Sequence, residues 1–292
     1  MTLSAGSGSG SRGVWEVAGG VLSLERPLVM GILNATPDSF SDGGLHLDPE
    51  RALGRAEELV AEGADILDVG GESTRPGATP VDAAEERARV LPVIRLLRAR
   101  LGVTVSVDTR RAEVARAALH EGAGIVNDVT ALGDESMAGV VAEYGAGVVL
   151  MHMRGTPRTM QDDPRYQDVA NEVTDELEGA LGRAGAGGIA AGRIVVDPGI
   201  GFAKTAEQSL EMISRLGVLS RLGRPIMLGP SRKAFLGKIL GVPAEERGAG
   251  TAAACVAGLF GGARIFRVHD VRIVRQALDV AEAIRRAAPP IA

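Results

Sequence analysis

Little in this chain could cross-link it, stack on bases or sink into a bilayer. Cysteine occurs once in 292 residues, at Cys255. That excludes an intrachain disulfide and suits a reducing compartment. Cys255 lies in the small-residue run Thr251-Ala252-Ala253-Ala254-Cys255-Val256-Ala257, and it reads as a packed helix position, not a nucleophile. Aromatics make up 3% of the residues, too few for the stacking platforms that single-stranded nucleic acid needs. No apolar run reaches the roughly 18 residues of a membrane span. No Lys/Arg block stands out and the net charge is −5, so nucleic acid and anionic membranes are poor partners. An anionic substrate would need a local positive field. Residues 1–13 are rich in Gly and Ser and lack the apolar core of a signal peptide, so they read as a disordered tail and the cytoplasm is the default location.

What is present is 45% apolar and 24% charged, the balance of a globular chain. Residues 14–292 read as a single domain, and one α/β barrel of ordinary size fits that length. Val14-Trp15-Glu16-Val17 and Val21-Leu22-Ser23-Leu24 flank Gly19-Gly20, a hairpin pattern that could plug a barrel floor. Short apolar strands follow at 28–33, 66–69, 103–107, 125–127, 147–151, 194–196, 225–228 and 264–268. Between them run helical patterns such as 49–62 and 81–100, with apolar residues three and four apart. The Gly/Ala-rich stretch 182–192 reads as a loop. This alternation predicts parallel strands with right-handed crossovers. A doubly wound sheet shares the pattern, but eight units favour a closed (β/α)₈ TIM barrel.

Nearly every strand ends in a polar cluster. In order they are Asn34-Ala35-Thr36-Pro37-Asp38, Glu72-Ser73-Thr74-Arg75-Pro76-Gly77, Asp108-Thr109, Asn127-Asp128, His152-Met153-Arg154, Asp197-Pro198-Gly199, Ser231-Arg232-Lys233 and Arg267-Val268-His269-Asp270. In a parallel barrel the C-terminal strand ends build the ligand site, so these groups would converge on one small molecule.

The stretch from Gly31-Ile32-Leu33-Asn34 through Asp42-Gly43-Gly44 resembles the first loop of the dihydropteroate synthases, and Gly70-Gly71-Glu72-Ser73-Thr74-Arg75-Pro76-Gly77 resembles their second. The later clusters follow that family in order, from residue 14 to about 285. Ala35 and Pro230 stand where the family often carries other small residues. The resemblance implies a barrel enzyme of folate biosynthesis, a transferase. It would join 6-hydroxymethyl-7,8-dihydropterin pyrophosphate to p-aminobenzoate, releasing 7,8-dihydropteroate and pyrophosphate.

The resemblance also distributes roles. Asp108, Asn127, Met151, Asp197, Lys233 and Arg267 would hold the pterin. A carboxylate at Asp197 suits the pterin edge, which offers two adjacent donors. Asn127 can read mixed ring nitrogens, and the Arg267 guanidinium can lie flat on the ring. Met151 offers a polarisable, apolar surface beneath a ring. Thr74, Arg75, Pro76, Phe202 and Ser231 would form the p-aminobenzoate site. Phe40 and Asp42 would close from the first loop and act with Lys233 and Arg267 in catalysis. Asn34, Arg267 and His269 would bind pyrophosphate, with Asn34 also a ligand of Mg²⁺, whose remaining ligands are commonly waters and phosphate oxygens. Family resemblance further implies a homodimer through the later helices, including the Ala/Gly-rich stretch 247–261, and inhibition by sulfonamides, which mimic p-aminobenzoate.

Blander readings stand beside these. Asp108, Asn127 and Asp197 could simply tie barrel strands together, Met151 could be core, and Asp68 reads as a residue that orients its neighbours. A methyltetrahydrofolate methyltransferase shares the barrel and pterin pocket but needs no pyrophosphate site. A silent pterin-binding paralogue would have lost loop residues that are present here. No Ser-His-Asp order or Cys metal spacing appears, which fits a reaction driven by positioning and charge.

Overall fold

A computed structural model describes residues 13–36, 48–72 and 81–287. Strands β1 (Val14–Val17) and β2 (Gly20–Ser23) form an antiparallel pair, Val17 opposite Gly20. Then come β3 (Leu28–Asn34), α1 (Pro49–Ala61), β4 (Ile66–Gly70), α2 (Ala83–Arg100), β5 (Thr104–Asp108), α3 (Ala112–His120), β6 (Ile125–Asp128), α4 (Met137–Tyr144) and β7 (Gly147–Met151). The second half runs α5 (Val169–Ala186), β8 (Ile194–Asp197), α6 (Ala206–Ser214), β9 (Met227–Leu228), α7 (Ala234–Leu240), α8 (Gly248–Phe260), β10 (Ile265–Val268) and α9 (Val271–Ala287).

The eight later strands are all parallel, in the order β8-β7-β6-β5-β4-β3-β10-β9. Closure comes from the segment just before β9. Ile226 bridges to Val196 in parallel, and Val196 N–H donates to Pro225 O at 3.0 Å. The expected strand 225–228 is thus divided: its first half reaches β8 and its second pairs β10. The barrel and the N-terminal hairpin are as the sequence predicts. One stretch differs, since residues 182–186 continue α5 instead of forming loop. Buried Ala180 and Ala184 sit four apart and carry the helix onto the core.

Helix starts follow local chemistry. Asp48 and Asp82 cap α1 and α2 by accepting from Glu50 and Glu85 N–H groups, and Thr205 with Gln208 forms a reciprocal capping box at α6. The hairpin seals the barrel's lower end. Trp15 is fully buried with Leu28, Met30, Ile66, Val149 and Val195, and its indole N–H donates to Arg193 O at 2.9 Å. A Cβ on Gly147 would meet Val17 at 2.9 Å, so hairpin and barrel wall are in direct contact there.

This floor sets the site above it. Strand side chains alternate faces, so a residue two places beyond an inward one also points inward. Ile66, Ile125, Val149, Val195 and Ile265 line the floor. Two residues further on stand Asp68, Asn127, Met151, Asp197 and Arg267.

Candidate active site

At the C-terminal mouth the inward positions turn from apolar to charged within one step. Arg267 on β10 donates from Nε to Asp68 Oδ2 and from Nη2 to Asp108 Oδ2, each at 2.6 Å. Asn127 Nδ2 donates to the same Asp68 oxygen at 3.0 Å. Asp68, Asp108 and Asn127 are buried, with Asp68 wholly inaccessible and its Oδ1 without a partner among the described residues. Burial raises the Asp108 carboxyl pKa; Arg267 opposes this and the Asp68 charge adds to it. Burial works against the Arg267 charge, but Asp68 and Asp108 outweigh it and hold the guanidinium protonated. With two donor edges pinned by carboxylates, the guanidinium plane is fixed and its face is left for a flat ring.

Asp197, at the end of β8, differs from the other two carboxylates. Its Oδ1 accepts from Gly199 N–H at 2.7 Å, and no side chain pairs with it among the described residues. Burial pushes it up to about 6, against the pull of the Gly199 N–H, Lys233, Lys204 and Arg267. A Cβ on Gly229 would lie 3.8 Å from Asp197 Oδ2 and 3.9 Å from Arg267 Cβ, so glycine keeps that side of the mouth open.

Lys233 stands at the N-cap of α7, and its ammonium sits 3.8 Å from the centre of the Phe202 ring, a cation–π pair. Burial and the Arg267 charge hold it down to about 8. Phe202 and Met151 belong to a small apolar cluster with Val129, Met160 and Ala203. That cluster is separate from the main core and from the cluster at the barrel floor. Ser231 is buried, and its Oγ lies 2.9 Å from His269 Nδ1 while accepting from His269 N–H at 3.1 Å. The proposed aryl-carboxylate and phosphate residues are therefore in contact.

Asn34 ends β3 half-buried, and its amide makes no hydrogen bond among the described residues. Among the described residues, no group of three His, Cys, Asp or Glu gathers that could hold a metal ion by itself. The donor set thus fits a hard ion taking one oxygen from Asn34 and the rest from phosphate and water. Phe40, Asp42, Thr74, Arg75 and Pro76 lie outside the described residues. The flanks of 73–80 are tied by Arg111, which donates to Glu72 Oε2 at 2.6 Å, to Val81 O at 2.6 Å and to Glu86.

The expectation for Asp68 as an orienting residue matches its contacts. Sequence reasoning named His152, Arg232 and Asp270 in strand-end clusters without giving them a role, and passed over Lys204 and Glu176. Lys204, His152 and Glu176 bond behind the mouth, and the Arg232–Asp270 pair joins two strand-end loops. The available signal was a lone lysine closing the Gly-rich run Gly199-Ile200-Gly201-Phe202-Ala203-Lys204.

Known proteins resemble this chain in sequence and in fold. The pattern of the family described as pterin binding enzyme matches residues 30–269. A dihydropteroate synthase of Synechocystis sp. is 47% identical over 264 residues, 90% of this chain and 91% of that protein. The crystal structure of a Yersinia pestis dihydropteroate synthase with a sulfonamide drug complex superposes with a TM-score of 0.89 at 40% identity, covering 94% of this chain and all of that one. A Xanthomonas albilineans dihydropteroate synthase in complex with 7,8-dihydropteroate gives 0.85 at 42% identity, covering 94% of this chain and 100% of that one.

Proposed function

The chain belongs to the dihydropteroate synthases, transferases of folate biosynthesis, and from that premise we propose how its barrel mouth joins 6-hydroxymethyl-7,8-dihydropterin pyrophosphate to p-aminobenzoate. The carrying observation is Asp197, a buried carboxylate with one backbone partner, in a mouth where Asp68 and Asp108 are already paired to Arg267. A pterin edge with two adjacent donors completes it. Asn127 and Asp108 take the remaining ring edge, Met151 lies beneath the ring, and the fixed Arg267 plane stacks on it. Lys233 donates to the pterin carbonyl or a ring nitrogen.

In the reaction the bond between the exocyclic carbon and pyrophosphate breaks first, and both electrons leave with the phosphate. The resulting cation is stabilised by the pterin ring. The arylamine then forms the C–N bond and releases its proton. Asn34, Arg267 and His269 hold pyrophosphate, and Mg²⁺, with Asn34 as its protein ligand, supplies charge neutralisation there when bound. Ser231, Phe202, Pro76, Thr74 and Arg75 form the p-aminobenzoate side, with Phe40 and Asp42 from the first loop. The chain's contribution is positioning and electrostatic stabilisation, not general-base chemistry. By the same geometry sulfonamides would occupy the aryl side, as a sulfonamide drug is bound in the Yersinia relative's complex.

Residues 14–292 are read as one domain, supported by a core cluster that runs from Val29 to Ala281. A homodimer is proposed through the later helices. Ile239, Leu240, Phe260, Ile273, Val280 and Ile284 are exposed on α7, α8 and α9. No helix among the described residues is long and apolar enough to cross a membrane, and a cytoplasmic location is proposed on the single, buried cysteine. An assay for pyrophosphate release with and without p-aminobenzoate tests the activity. Methyl transfer from a methylated folate without pyrophosphate dependence, or pterin binding without turnover, would overturn it.

A further inference from the structure

The turn of residues 199–204, which follows β8 and carries Phe202, holds a conformation its own sequence does not make easy. Gly199, Gly201 and Ala203 are all left-handed, at φ 68°, 77° and 48°. Glycine accepts this freely, but Ala203 carries a Cβ and pays strain. The turn is also wedged tightly. A Cβ on Gly199 would fall 2.0 Å from His152 O, and one on Gly201 would fall 3.1 Å from Lys233 Cδ.

One buried side chain collects the turn's carbonyls. Lys204, 3% exposed, donates from Nζ to Gly199 O at 3.2 Å and to Phe202 O at 3.1 Å, and lies 3.0 Å from His152 Nδ1. Burial pulls Lys204 down to about 7, against Asp197 and Glu176. In its ammonium form it has three donors, and all three are used inside the protein. His152 Nδ1 then accepts, which places the ring proton on Nε2, 3.0 Å from Glu176 Oε2. Arg154 holds Glu176 in turn, with Nε to Oε1 at 2.8 Å, and lies 4.0 Å over the Tyr166 ring.

We propose that Lys204 is a positioning residue for the aryl substrate: seated on His152 and Glu176, it ties the 199–204 turn down and so places the Phe202 ring against the Lys233 ammonium. This rests on Phe202 being a wall of the p-aminobenzoate site. Lys204 itself touches no substrate. The charged and titratable groups around it are His152 and Arg154 beyond β7, Tyr166 in the next connection, Glu172 and Glu176 on α5, Asp197 on β8 and Lys233 at α7. Burial and the Lys204 charge hold His152 below its ordinary value, against Glu176. The ring is therefore neutral at pH 7. Its protonation in acid would turn Nδ1 into a donor facing an ammonium and cost the staple one bond.

The test compares Lys204→Met, Phe202→Ala and His152→Asn by steady-state kinetics, with calorimetric binding of a pterin pyrophosphate analogue alongside. A displaced wall is expected to raise the KM for p-aminobenzoate by about tenfold or more in Lys204→Met, with kcat and pterin affinity within about threefold. Phe202→Ala should do the same. In the wild type, KM should rise on the acid side of neutrality at saturating pterin. In His152→Asn, which keeps an acceptor near Nδ1 but has no proton site, that rise should vanish. An unchanged KM in Phe202→Ala sinks the aryl-wall reading itself. A raised KM there with normal KM in Lys204→Met, or with pterin affinity lost equally, overturns the positioning role alone. If Lys204→Met does not fold, an acid limb that persists in His152→Asn overturns it.

Discussion

Arg267 Nε donates to Asp68 Oδ2 across 2.6 Å, although the two residues stand 199 apart in sequence and strand β3 lies between their strands. The bond crosses the barrel mouth, and Asp108 and Asn127 join it. The proposed stacking of Arg267 on the pterin would therefore depend on a carboxylate that contacts both Arg267 and Asn127.

Asp68→Ala is expected to cost about 3 kcal/mol of stability, because it leaves a largely buried guanidinium, about 20% exposed, with half its partners. Activity should fall with it, through a mis-set Arg267 plane. Urea unfolding and turnover measured on the same preparation check this. A variant with wild-type stability would show that Asp108 alone suffices.

Asp197→Asn is expected to weaken pterin binding by about 1–3 kcal/mol, since the amide meets pterin donors with a donor of its own. The carboxyl is raised to about 6 in the fold. Wild-type pterin affinity should therefore fall about tenfold per pH unit below that value, where the neutral acid replaces the carboxylate. Stability runs the other way: the raised value contributes stability in acid that is lost as pH rises through about 6. Calorimetric titration of a pterin analogue across pH decides it, and the acid limb should be missing in Asp197→Asn.

Asn34→Ala is expected to lose most activity while the fold survives, because it removes one oxygen from the pyrophosphate end and no packing. Turnover followed through a Mg²⁺ titration is the check. The variant should need more Mg²⁺, and an unchanged dependence would remove Asn34 from the metal's ligands.

Trp15→Ala is expected to cost about 3–5 kcal/mol, the range for emptying a large buried aromatic site. Trp15 seals the N-terminal face, which carries stability in barrels, while the chemistry sits at the other face. Affinity for the pterin analogue should stay within about twofold below the melting range. Thermal unfolding with and without the analogue separates the two effects.

Much of this was legible along the chain. The strands are continuous apolar runs because both faces are covered in a parallel barrel, and the polar residues stand where each run stops. Asp108, Asn127, Asp197 and Arg267 could be placed at the mouth because each ends or nearly ends such a run, while their pterin roles came from the family resemblance. The Lys204–His152–Glu176 set was not legible. His152 lies 52 residues from Lys204 and 24 from Glu176, and no local period relates them. The helical continuation through 182–186 was hidden for a different reason: its glycines argue against helix, and only packing of Ala184 on the core outweighs them.

The sequence by itself determined the class of fold, the eight strand ends and the types of group each would present, since alternation and local turn chemistry act over a few residues. Only the tertiary structure decided which groups neutralise one another. Pairing of β10 with β3 brings Arg267 to Asp68 and Asp108, and Asp197 is left without a side-chain partner among the described residues. Pairing of buried charges depends on distances of a few ångströms across the barrel, and those are set by strand register and closure, which no stretch of the chain carries alone.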